Sequence, residues 1–97
     1  MPTFIALIDW TEQGVKSFRE TVDRYEASKA RFEQMGVRLM QTYWTLGEHD
    51  IVAIAEAEDE ETMAAATLTL ASQGNLRTTT MRALTADEMR AVIAKTG

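Results

Sequence analysis

The chain has no cysteine, one proline and one histidine among its 97 residues. Without cysteine there is no disulfide scaffold, no cysteine-ligated zinc finger, no thiol nucleophile and no redox pair. One histidine excludes any single-chain site built on two or three imidazoles. Basic residues are also in the minority. Ten Lys and Arg stand against fifteen Asp and Glu, for a net charge of −5. That balance argues against a basic surface for nucleic acid, so no nucleic-acid partner is expected. Long apolar runs are missing too. No stretch approaches the roughly 20 apolar residues that cross a bilayer, so no membrane partner is expected. Met1 to Trp10 carries no basic n-region and reaches Asp9 after a run too short for a signal-peptide core. A cytoplasmic location is the expectation.

What is present fits one folded domain, residues 1–97, at an ordinary apolar fraction. Thr3 to Trp10 is a short apolar run and reads as a strand. Thr11 to Gly14 reads as a turn. Phe18, Val22, Tyr25, Phe32 and Met35 then fall on one face of a long helix, which Gly36 ends. Val37 to Leu46 is a second strand, Gly47 to Asp50 its connection, and Ile51 to Ala57 a third strand. Asp59-Glu60-Glu61 opens a helix that runs to about Gln73. The acidic run reads as an N-cap and first turn, where carboxylates complement the helix dipole. Gly74-Asn75 turns the chain into a fourth strand, Leu76 to Leu84. Thr85 and Glu88 form a capping box for a last helix.

Strand, helix, strand, strand, helix, strand is the split βαβ order of a ferredoxin-like α+β fold, here with an extra C-terminal helix. A four-stranded antiparallel sheet follows from it. Helices on one face should leave strands that alternate apolar and polar. Ile5 to Ile8 and Ile51 to Ala55 are instead apolar on both faces. A second copy of the chain is the simplest cover for the other face. The expectation is a homodimer packed sheet to sheet, or a larger assembly of such dimers. The five methionines after Met1 read as core filler.

The sequence resembles the GYD domain family over nearly its whole length. The likeness rests on Met1-Pro2-Thr3-Phe4-Ile5 ahead of Trp10-Thr11-Glu12-Gln13-Gly14. It also rests on Leu46-Gly47-Glu48-His49-Asp50-Ile51-Val52, on Glu56-Ala57, and on Gly74-Asn75-Leu76-Arg77-Thr78 with Arg82-Ala83. The resemblance implies a ferredoxin-like fold of the dimeric α+β barrel kind. It implies no assigned reaction. His49 stands where the namesake tyrosine is usual, and exchanges a phenol for an imidazole.

Five residues are candidates to line a ligand site at the sheet or dimer cleft: Tyr43, His49, Asp50, Glu56 and Arg77. His49 reads either as a ligand contact or proton carrier beside Asp50, or as a turn residue with its ring on the sheet edge. Asp50 reads equally as a turn cap. Glu56 lies inside a strand and needs a partner, for which Arg82 and Arg77 are candidates. Trp10 and Tyr43 read as packing residues, or as the walls of a cavity against a partner. Neighbouring residues in an extended chain point apart, so Glu48, His49 and Asp50 are not expected to hold a metal. No cofactor is expected. The leading reading is a small-molecule-binding or regulatory module. The alternatives are a cofactor-independent oxygenase, isomerase or decarboxylase using His49 and Asp50, by analogy of fold alone, and a purely structural assembly subunit.

Overall fold

A computed structural model describes all residues, 1–97. The strands are β1 (Thr3–Trp10), β2 (Val37–Trp44), β3 (Ile51–Ala57) and β4 (Leu76–Ala83). The helices are α1 (Glu12–Lys16), α2 (Thr21–Gln34), α3 (Glu60–Ala71) and α4 (Ala86–Ala94), with a 3-10 turn at Phe18–Glu20. The four strands form one antiparallel sheet in the order β2-β3-β1-β4. The chain is therefore α+β, with a sheet and four helices compatible with the ferredoxin-like pattern. No helix is long and apolar enough to cross a membrane.

The strand periodicity sorts the side chains onto two faces. Phe4, Ala6 and Ile8 of β1 and Ile51, Ala53, Ala55 and Ala57 of β3 point to the helices and are buried. The main core lies at one end of that face. Phe32 from α2 and Met63 and Ala66 from α3 close over Phe4, Val37, Ala55 and Ala57. A second buried group, Ala6, Ile8, Ile51 and Ala53, has Leu76 as the one partly buried hydrophobic packed against it. The helices thus cover one end of the sheet closely and the other loosely.

Several local expectations are corrected. The predicted turn at Thr11–Gly14 is a helix start. Thr11 caps α1 by accepting from the Gly14 amide at 3.0 Å. Gly14 is buried there because α1 sits against the turn that leaves α3. A Cβ at Gly14 would stand 1.9 Å from the Asn75 carbonyl oxygen. The long helix is interrupted by the 3-10 turn, so Phe18 and Val22 are exposed and the predicted stripe buries only Phe32 fully. Of the methionines, Met63 alone is buried; Met40, Met81 and Met89 are exposed. Gly36 follows α2 at φ +89°, where a side chain would strain the backbone.

The other helix caps are as predicted. Asp59 accepts from the Thr62 amide at 2.8 Å, which holds its carboxyl below the usual value. Thr85 and Glu88 form the capping box of α4. The Thr85 amide, and then the Arg82 guanidinium at 2.9 Å, lower the Glu88 carboxyl from the ordinary 4.5 to about 2. A lowered carboxyl stabilises the fold above its unfolded pKa, and the contribution is lost as pH falls through the folded value. A carboxylate NMR titration should therefore place the Glu88 midpoint near pH 2, with the α4 amides moving at the same pH. A midpoint at the ordinary value contradicts the cap.

Candidate functional site

The face of the sheet turned away from the helices is open. Cross-strand register arranges it in rows. Gln41, Ile54, Ile5 and Met81 form one row, and Tyr43, Val52, Leu7 and Thr79 form the next. Polar residues bracket them. Arg38, Glu56 and Thr3 lie at one end, Asp9 and Arg77 at the other. The residues that broke the expected alternation, Ile5, Leu7, Val52 and Ile54, are those at the centre of this face. No element of the chain covers them. Tyr43 is 55% and Met81 42% exposed.

The five candidate residues do not form one site. Tyr43, Glu56 and Arg77 share the open face. Glu56 lies six residues along the chain from Asp50, about 20 Å of strand. Its expected partners are excluded by topology, since Arg77 and Arg82 sit on β4, beyond β1. Arg82 also points to the helix side, over the Phe4 ring and paired with Glu88. Glu56 stands across from Arg38 and Thr3 instead. Trp10 shares the helix-facing side with Phe4 and Ile8, so it and Tyr43 cannot line one cavity.

His49 and Asp50 also separate. Asp50 ties the start of β3 to the end of β1: its carboxylate accepts from the Trp10 amide at 3.0 Å, and its own amide donates to the Ile8 carbonyl at 3.0 Å. The carboxylate bond runs between strands and not to the turn's own amides, so it is not the local turn cap expected. The partner of His49 is Asp9, not Asp50. The ring Nδ1 lies 3.3 Å from one Asp9 oxygen and 3.4 Å from the other. The Thr45 hydroxyl donates to the His49 carbonyl at 2.6 Å and braces the connection. His49 and Asp9 are each about one-third exposed on the rim. Sequence reasoning does not single out Asp9, because it lies forty residues away and reads as the end of a strand.

On the helix side lies a hollow of about 70 Å³ under α2, over Ala6, Ala53 and Ile51. Tyr25 and Trp44 wall it, edge to face with ring centres 5.6 Å apart, and Trp44 Nε1 donates to the Thr21 hydroxyl at 3.0 Å. None of the five candidates lines it.

The comparisons fit this architecture. The GYD domain model matches residues 4–93, and the chain belongs to the GYD domain family. Over 85 residues it is 39% identical to the glutamine synthetase and cystathionine beta-lyase binding protein of Thermus thermophilus, covering 87% of this chain and 90% of that one. The crystal structure of TTHA0845, also from Thermus thermophilus, superposes with a TM-score of 0.56 at 23% identity, over 89% of this chain and 96% of that one. That likeness is one of fold.

Proposed function

We propose that this chain is a homodimeric protein-binding module that docks on a metabolic enzyme. The observation that carries the reading is the apolar surface a single copy leaves uncovered in two places. The first is the open sheet face. Two copies packed face to face would bury the Ile5, Leu7, Val52 and Ile54 rows, in the manner of a dimeric α+β barrel. The second is α4. Met89, Val92 and Ile93 fall at spacings of three and four on one side of that helix and are all exposed. No residue of α4 is buried, and its Arg82–Glu88 pair fixes where it leaves the sheet. An amphipathic helix of this kind suits a groove on a partner. The name of the Thermus relative supports an enzyme as that partner, with glutamine synthetase and cystathionine beta-lyase the two to try first.

The test is surface capture of each purified enzyme from the same host. Wild-type dimer should bind at least one of them. Val92→Asp should weaken that binding by about tenfold or more, the scale of a truncated hot spot, while the dimer mass stays unchanged. His49→Tyr should leave binding within about twofold, because the His49–Asp9 pair sits only at the rim of the open sheet face and away from α4, where a contact contributes little. Failure of both enzymes to bind overturns the enzyme-docking reading. A large loss with His49→Tyr would mean that the rim of the sheet face, rather than α4, carries the contact with the enzyme.

A further inference from the structure

We infer that Arg82 is a positioning residue: through Glu88 it sets the direction in which α4 leaves the sheet, and so aims the exposed Met89, Val92 and Ile93 face at a partner. This role rests on the docking reading for what α4 is aimed at, and on the contacts of Arg82 alone for how the helix is held.

The rest of the fold gives α4 little support. Only Leu84 and Thr85 join β4 to the helix, and no residue of α4 is buried. Packing therefore supplies no preferred angle. The other side-chain bonds of this segment stay within it. Arg90 pairs with Asp87, and the Thr96 hydroxyl donates to the Ile93 carbonyl. Glu88 makes the one side-chain bond from α4 that reaches the sheet.

Glu88 does two jobs with one carboxylate. Its Oε1 accepts from the Thr85 amide at 3.0 Å and closes the capping box, while its Oε2 accepts from Arg82 at 2.9 Å. The helix start and the sheet are thus tied to the same group. Arg82 is itself braced. Its Nη1 donates to the Thr3 carbonyl at 3.4 Å and to the Ala83 carbonyl, and the guanidinium lies 6.0 Å from the centre of the buried Phe4 ring. An exposed ion pair alone does little, because two long side chains must be frozen to make it. Here the side chains are 31% and 38% exposed, and each is already fixed by its other bonds. The planar guanidinium serves carbonyls at one nitrogen and a carboxylate at the other, a fork that an ammonium lacks. The lowered Glu88 carboxyl agrees with a carboxylate held twice.

The test separates the cap from the tie. Arg82→Met removes the tie and leaves the cap. Glu88→Gln has one acceptor oxygen in place of two, so it can close the cap or meet Arg82 but not both. Residual dipolar couplings of the backbone amides report the direction of α4 against the sheet. In the wild type one alignment frame should fit both. In either variant the α4 couplings should no longer fit that frame, with helical content by circular dichroism unchanged. Capture of the enzyme that binds wild type should weaken about fivefold in either variant, the upper range for such a pair. The double variant should be no worse than either alone, because both remove one interaction. Should Arg82→Met fail to fold, Glu88→Gln carries the same comparison. Couplings that still fit the sheet frame in the variants overturn the inference, whatever the enzyme does. So does a double variant weakened by the product of the two losses, about 25-fold. If wild type captures neither enzyme, the docking reading falls, and the couplings alone decide the role of Arg82.

Discussion

Ile54→Glu should turn the protein from dimer to monomer at micromolar concentration, with its helical and strand content intact. Ile54 sits at the middle of the open face, between Ile5 on β1 and Gln41 on β2. In a lone chain the glutamate meets water and costs the fold little. In a twofold dimer each interface carries two copies, both facing an apolar surface with no cation in the same row. Desolvating an unpaired carboxylate costs several kcal/mol. About 4 kcal/mol already weakens association roughly a thousandfold. Circular dichroism would show the fold kept, and light scattering the halved mass. A variant that remains dimeric would mean that the copies pair elsewhere.

Gly14→Ala should destabilise the fold by about 2–3 kcal/mol, the upper range for forced overpacking, which in a domain of this size lowers Tm by roughly 10–20 °C. The reason is contact with backbone, not conformational freedom. The new Cβ would meet the Asn75 carbonyl oxygen at 1.9 Å, and a carbonyl in a turn cannot swing aside as a side chain can. That turn is held to α1 by several bonds at once. The Thr11 hydroxyl donates to the Gly74 carbonyl at 2.6 Å, the Thr11 amide to the Asn75 carbonyl at 3.1 Å, and the Gln13 side chain to the Asn75 side chain at 3.0 Å. Moving Asn75 away strains all of them. Thermal unfolding measures the effect; a Tm within about 3 °C of wild type, roughly half a kcal/mol or less on the same scale, would mean α1 does not dock there.

Much of this architecture is legible in the sequence because it is local. β3 and the caps of α3 and α4 lie where their residues put them, since the capping bonds reach only three residues along the chain. The open face is legible for a different reason. Period-two alternation fails at Ile5, Leu7, Val52 and Ile54, and those side chains point away from the helices. The candidate ligand residues are less legible. Their convergence depends on strand order, and β1 lies between β3 and β4, so Glu56 never reaches Arg77. Asp9 reaches His49 only through the sheet. The long helix reads as continuous because the apolar spacing of Phe18 and Val22 runs on through the 3-10 turn, although the helix axis does not.

Cover of the open sheet face by a second copy of the chain is what joins the apolar rows to the proposed function. Sedimentation equilibrium of the unmodified chain at micromolar concentration measures it directly. The expected mass is twice that of the 10.9 kDa chain, or an even multiple of it. A single species at 10.9 kDa would contradict it.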